Sequence, residues 1–245
     1  MAILTVLQFL FIGFVLGYLF WNLVQLDRIP PVRGQLPRHP RVSICVPARN
    51  EERDIRACLT SLLEQDYPQF EVIAVDDHSD DATPEIIQSL AQHHPHLVFL
   101  PSEPLPPDWL GKPHALHQAC RRATGEILLF TDADPVFQPW AVNSAVHTML
   151  SRKLDLLTLM PRTEFGSFWE RAVQPVIFGF IFALTRVGKI VQADSPKAMG
   201  FGAFLMFKRE MLEKIGGYER VKGEVLEDVF LARHVKASGG RLLAA

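Results

Sequence analysis

Between residues 41 and 132 the chain alternates short runs of strand-forming apolar residues with longer stretches of helical periodicity, and few folds accommodate that order. "VSICVP" (42–47) reads as a buried strand, followed by a helix over about 51–65 with Ile55, Leu59, Leu62 and Leu63 at helical spacing. "FEVIAVDD" (70–77) is the next strand, and the helix over 83–93 carries Pro84 in its first turn, where proline is tolerated. "LVFL" (97–100) is a third strand, a helix covers about 113–123, and "EILLFTD" (126–132) is a fourth strand. This β-α-β-α order predicts an α/β fold: a largely parallel sheet with helices on both faces. Further on, "LDLLTLMP" (154–161) reads as another strand, and 203–212 as a strand running into a helix. The apolar stretch 168–187 is interrupted by Glu170, Arg171, Gln174, Pro175 and Arg186, which predicts an interfacial or buried helix instead of a span.

The N-terminus obeys a different logic. From Ile3 to Leu26 there is no charged residue, and the stretch is long enough to cross a bilayer as a helix. No basic residue precedes it and no small-x-small site closes it, which argues against a cleaved signal peptide. Residues 1–27 are therefore read as a transmembrane anchor. Arg28, Arg33, Arg38 and Arg41 follow it against only Asp27, so the positive-inside rule puts the remainder in the cytoplasm. Residues 28–40, with four prolines, read as a stiff linker, and 41–245 as the folded domain.

Net charge narrows the partners. At −2 the chain has no global field that would select nucleic acid. Its three cysteines, Cys45, Cys58 and Cys120, are odd in number and far apart, which argues against a disulfide framework or a Cys-rich zinc site.

In a sheet of this type ligands gather at the carboxyl ends of the strands, and polar residues stand there. Arg49, Asn50 and Glu51 follow the first strand, Asp76 and Asp77 the second, Asp132 and Asp134 the fourth. Two carboxylates one residue apart suit a hard divalent ion, Mg²⁺ or Mn²⁺. The bland alternative is a solvated turn, or Asp134 capping a helix that begins near Pro139. Asp81 or Thr83 suits the N-cap of the helix after the second strand. In "WLGKPHAL" (109–116) Lys112 enters a helix whose N-terminus suits phosphate, against the reading of a plain surface lysine. "EVLEDVFLARHV" (224–235) puts Glu227 and Asp228 on an amphipathic helix, against the reading of a solvated acidic first turn. Adjacent helical residues point about 100° apart, so only one of the two is expected to face a cleft.

The order and spacing of these motifs is more specific than any one of them. "VSICVPARNEERDIRACLTSLLEQDYPQFEVIAVDDHSDDAT", "GKPHALHQACRRATGEILLFTDAD", "GFGAFLMFKREMLEKIGGYE" and "LEDVFLARHVKASGGRL" together resemble the family 2 glycosyltransferases, the inverting group with a GT-A fold. The resemblance spans roughly residues 41 to 243. With the anchor, "PPDWLGKPHAL" looks most like the membrane-bound branch acting on lipid acceptors, such as hopanoid- or carotenoid-associated and ceramide-type enzymes. It implies that Pro47, Arg49, Asn50, Glu51 and Asp77 hold the uridine of a UDP-sugar. Asp132 and Asp134 would be the Asp-x-Asp motif, with Asp134 the main ligand of Mg²⁺ or Mn²⁺ bridging the donor diphosphate. Lys112 would assist at a phosphate, and Gly200 and Gly202 would let the backbone approach a substrate. Glu227 joins this donor-side set. Asp228 would be the general base that deprotonates an acceptor hydroxyl for in-line attack on the anomeric carbon.

Two departures from the family pattern stand out. His117 occupies a position where many relatives carry Asn. The family also continues to a Gln-x-x-Arg-Trp motif and often to further membrane helices, so a chain ending at Ala245 reads as C-terminally truncated. The expected function is metal-dependent transfer of a sugar from a UDP-sugar to a membrane-lipid hydroxyl. Transfer to a polyprenyl phosphate, or a degenerate non-catalytic scaffold, are the alternatives. "GFGAFL" lacks the third glycine of a dinucleotide-binding turn and precedes a strand, which sets a dehydrogenase aside.

Overall fold

The computed structural model describes residues 2–24, 28–32, 36, 38–162, 166–185, 190, 195 and 197–245. Residues 25–27 of the expected anchor, Arg33 of the linker and Arg186 lie outside the described residues. After helix α1 (Ala2–Val24) come β1 (Val42–Ala48), α2 (Ile55–Leu63), β2 (Phe70–Asp76), α3 (Thr83–His93), β3 (Leu97–Pro101), α4 (Gly111–Arg122) and β4 (Ile127–Phe130). Then follow α5 (Ala141–Ser151), β5 (Leu156–Thr158), α6 (Phe168–Thr185), β6 (Leu205–Lys208), α7 (Arg209–Lys214), a 3₁₀ turn (Tyr218–Val221), α8 (Glu227–Ala237) and β7 (Leu242–Ala244). The strands form one seven-stranded sheet in the order β3-β2-β1-β4-β6-β5-β7.

The period-2 alternation of each strand divides its side chains between two cores. Ile44, Val46, Val72, Ala74, Ile127 and Leu129 face one side, where Ile55, Leu59 and Leu62 of α2, Ile87 of α3 and Val142 and Val146 of α5 cover them. Cys45, Ile73, Val75, Leu128 and Phe130 face the other, covered by Ala115, Leu116 and Ala119 of α4 and by Leu231, Ala232 and Val235 of α8. Each Leu or Ile buried completely in this way contributes about 1.5–3 kcal/mol. Residues buried on both faces explain why the strands read as continuous apolar runs.

The sheet is mostly parallel, but β6 runs antiparallel to both of its neighbours, β4 and β5. β4 is also shorter than its apolar run. Its pairing with β6 ends at Phe130↔Leu205, and the Thr131 hydroxyl then donates to the Ala203 carbonyl at 2.8 Å, turning the chain out of the sheet. α2 starts later than its periodicity suggests because the Asn50 and Glu51 amides donate sideways, to Ser79 Oγ (3.0 Å) and Thr83 Oγ1 (2.8 Å) in the loop after β2. The two loops are thereby tied together beside the strand ends. Pro47 sits where β4 pairing has already stopped at Cys45, so β1 there pairs only with β2 and tolerates a missing N–H.

Among the described residues, one helix is long and apolar enough to cross a membrane, over Leu4–Asn22 in α1. The segment after it lies along the domain: Val32 N–H donates to Ser144 Oγ at 2.7 Å, and the Tyr67 hydroxyl donates to the Pro40 carbonyl at 2.6 Å. α6 packs against α1, with Leu19 Cδ1 3.9 Å from where a Cβ on Gly179 would stand. Its start is fixed by a capping box, in which Ser167 Oγ accepts the Glu170 N–H and Glu170 Oε2 accepts the Ser167 N–H, each at 3.2 Å. The chain leaves the carboxyl end of β5 into α6 and returns at the start of β6. Both points lie at the end of the sheet where β1, β2 and β4 finish.

Candidate active site

At that end of the sheet the described structure brings together residues from five elements. Lys112, the second residue of α4, extends its Nζ to Asp132 Oδ1 at 2.6 Å and to Glu227 Oε1 at 3.2 Å. Gly202, on the strand return, faces this ammonium: a Cβ there would stand 2.9 Å from Lys112 Nζ. Gly200 lies against the start of α8, where a Cβ would come within 2.3 Å of the Asp228 carbonyl oxygen. Only glycine allows that approach. Asp228 Oδ1 accepts the Val229 N–H at 2.7 Å, and its carboxylate also accepts the Gly202 N–H.

Glu227 and Asp228 therefore both reach the site, contrary to the expectation that helical spacing would turn one of them away. They open the first turn of α8, and the Gly200–Gly202 segment crosses over that turn, so one carboxylate is met from the Lys112 side and the other from the backbone. Burial pushes both carboxyls above their usual range. For Glu227 the Lys112 ammonium opposes the rise; for Asp228 the Val229 N–H, Lys112 and the Gly202 N–H do so. Burial pulls the Lys112 ammonium down, but the Asp132 and Glu227 carboxylates more than offset this and leave it above its ordinary value.

On the other side of Asp132, negative charge accumulates without a partner. Asp134 is exposed and makes no hydrogen bond or ion pair with the described residues, so it does not cap α5, which begins behind Trp140. Glu51 is raised by its burial and then by Asp134, Asp54, Asp132 and Asp81. The Cys58 thiol, pushed up to about 12 by burial and by Asp134, Asp132 and Glu51, donates to the Asp132 carbonyl at 3.7 Å. Carboxylates of one sign gathered here fit a hard divalent cation such as Mg²⁺ or Mn²⁺, which keeps waters and shares substrate phosphates. Among the described residues no three His, Cys, Asp or Glu side chains gather closely enough to hold an ion by themselves.

The loops after β1 and β2 form the remaining wall. Asn50 has φ of 57°, the left-handed region that Asn tolerates, and its Oδ1 accepts the Asp80 N–H at 2.8 Å. Arg49 is exposed and Pro47 is buried within β1. Asp81 Oδ1 accepts the Thr83 N–H at 2.9 Å in a local turn, but the N-cap position of α3 falls on Ala82 and neither Asp81 nor Thr83 fills it; the Thr83 hydroxyl instead holds the Glu51 N–H. Asp77 is buried with its Oδ2 2.3 Å from the Cβ position of Gly111, against the first residue of α4. Asp76, read from the sequence as a polar strand end but given no role there, keeps its Oδ1 buried with no hydrogen-bond partner among the described residues. His117 lies beside Trp109, ring centroids 5.0 Å apart, and burial holds it below its usual value. A cleft of about 640 Å³ lies at the opposite end of the sheet, lined by Arg38, Glu126, Ile127, Lys208 and Arg209 among others, and none of the site residues borders it.

Three comparisons bear on this geometry. The sequence profile of the family described as Glycosyl transferase family 2 matches residues 43–216. The chain belongs to that family. Among solved structures it is similar to a mannosyltransferase from Pyrobaculum calidifontis in complex with GDP-Man and Mn²⁺. The TM-score is 0.64 at 28% identity, covering 100% of this chain and 66% of that one. It is also similar to ceramide glucosyltransferase 1 of Caenorhabditis elegans, 24% identical over 208 residues, which are 83% of this chain and 43% of the relative. A third relative is the 4,4'-diaponeurosporenoate glycosyltransferase of Staphylococcus aureus, 28% identical over 199 residues, 77% of this chain and 49% of the relative. The chain spans half or less of the length of these two curated relatives. The family 2 chain thus has GT-A architecture, and Asp77, Lys112, Asp132, Glu227 and Asp228 all stand at the carboxyl end of its sheet.

Proposed function

We propose that the protein is a metal-dependent, inverting glycosyltransferase that moves a sugar from a UDP-sugar to the hydroxyl of a membrane lipid. The observation that carries this reading is the juxtaposition of two unlike carboxylate groups about one ammonium. Asp132 and the unpartnered Asp134 stand on one side of Lys112, and the buried Glu227–Asp228 pair on the other. Asp132 and Asp134 would hold Mg²⁺ or Mn²⁺, which when bound supplies charge stabilisation to the departing nucleoside diphosphate. Asp77, the orphaned acceptor of Asp76 and the 47–51 segment form the wall for the nucleoside. Asp228, raised by burial, takes the proton from the acceptor hydroxyl as it attacks the anomeric carbon from the face opposite the nucleotide.

Support for a lipid acceptor comes from apolar surface on the same side of the molecule. Val225 and Leu226, 81% and 59% exposed, directly precede the Glu227–Asp228 pair. α6, inserted between β5 and the Gly200–Gly202 return, exposes Phe168, Trp169, Val173, Val176 and Ile177. It lies against α1, which we read as the membrane anchor with the domain on its cytoplasmic side. The relatives named for ceramide and diaponeurosporenoate agree with this reading.

The test is calorimetric titration of UDP, with GDP as the control, into the detergent-solubilised chain with and without Mn²⁺. UDP binding that Mn²⁺ strengthens, with that gain abolished by Asp134→Ala, is the expected result. Preference for GDP, the nucleotide of the Pyrobaculum complex, would overturn the donor assignment. Absence of nucleotide binding by the folded chain would instead support a non-catalytic scaffold.

A further inference from the structure

Lys112 occupies an awkward place. A cation in the first turn of a helix opposes the helix dipole, so α4 by itself gives no reason for a lysine there. Among the described residues Asp132 and Glu227 are its only ion-pair partners, and they belong to opposite halves of the site: Asp132 to the Asp-x-Asp loop, Glu227 to the helix of the base. An ammonium has three donors and can engage both at once. A divalent cation arriving at Asp132 would meet this like charge at close range, where Coulomb repulsion is strong. Glu227, its side chain 7% exposed, is the second carboxylate to which the ammonium can withdraw while staying paired. Gly202 leaves the space for that movement, since a side chain there would press on Nζ.

We infer that Glu227 is a positioning residue for donor binding: it receives Lys112 when the metal–nucleotide complex takes over Asp132. This rests on the metal-dependent donor site proposed above. Removing Glu227 strands the displaced ammonium without a partner, and that penalty falls on metal-dependent binding alone.

The experiment measures UDP affinity of the full chain by calorimetry, with and without Mn²⁺, for Glu227→Gln, Lys112→Met and the double variant. Glu227→Gln is expected to weaken Mn²⁺-dependent UDP binding by about tenfold, within the range of directly coupled pairs. Metal-free UDP binding should change by less than about twofold. In the Lys112→Met background the same substitution should have little further effect. Equal loss with and without Mn²⁺ would mean a structural role and overturns the inference. Undiminished loss in the Lys112→Met background would mean that Glu227 acts on the ion directly, and overturns it as well. Wild-type binding with no effect of Glu227→Gln sinks this inference but leaves the donor site standing; a wild type that does not bind Mn²⁺–UDP removes both. Circular dichroism checks folding. If the amide variant does not fold, Glu227→Asp, which keeps the charge, should show a smaller loss confined to the metal-dependent arm, and a loss in both arms overturns the inference.

Discussion

Asp228 concentrates the residue-scale questions, because its carboxylate is costly to keep charged where it stands. Burial raises it above the ordinary aspartate value of 3.8. A raised carboxyl contributes stability fully present below its unfolded value and lost as pH rises through the folded one, so at neutral pH the ionised group weakens the fold. Asp228→Asn should therefore melt at the same temperature or higher at neutral pH, while kcat falls by about 10²–10⁴-fold. Any turnover by the unaltered chain should decline as pH is lowered through that raised value, in a kcat/KM profile. Near-full activity of Asp228→Asn would point to an acceptor that needs no base, such as a polyprenyl phosphate. Gly200→Ala presses a methyl group onto the Asp228 carbonyl and should destabilise by about 1–3 kcal/mol, read by thermal melting. Asp77, Asp132 and Asp134 were legible in the sequence because each ends an apolar run, where a charge is out of place. The Lys112–Glu227 contact was not, because the two residues are distant in sequence and each reads equally well as a solvated surface charge. Asp76 was legible as a charge ending the same run as Asp77, but its unsatisfied oxygen is visible only once every neighbour is placed.

At the scale of elements, the buried Glu71 joins the start of β2 to β1 and to the segment entering β4. Its Oε1 accepts from Ser43 Oγ at 2.6 Å, Thr124 N–H at 2.8 Å and Thr124 Oγ1 at 2.7 Å. Burial pushes its carboxyl up, but these hydrogen bonds and Arg41 outweigh burial and hold it below 4.5. A depressed carboxyl contributes stability that is present above the unfolded value and lost as pH falls through the folded one. Glu71→Gln should cost about 1–3 kcal/mol at neutral pH and flatten the loss of stability on acidification below 4.5, measured by thermal melts across that range. The first four strands and α2 to α4 were readable because apolar period and breakers agree along 41–132. Their ends were displaced where loops bond to each other, as Asn50 and Glu51 do with Ser79 and Thr83. The reversal of β6 left no local trace, since a strand buried on both faces has the same composition in either direction.

For the whole molecule, the candidate site and the exposed apolar helices share one end of the sheet, which makes a specific separation of functions testable. Replacing Phe168, Trp169 and Val176 by serine should lower transfer to an acceptor in anionic phospholipid vesicles by about tenfold or more, because large aromatic area leaves the apolar face, while flotation with the vesicles through α1 and Mn²⁺–UDP affinity stay unchanged. The position of β6 has a further consequence, for the order in which the site comes into being. β3-β2-β1-β4 are consecutive in synthesis, so the loops bearing Asp77, Asp132 and Asp134 leave the ribosome early. The strand that completes the core against β4 follows only after α6, and Asp228 later still. On the roles proposed above, a nascent chain would have its nucleotide wall well before its base, and would stay chemically silent until translation had delivered Asp228.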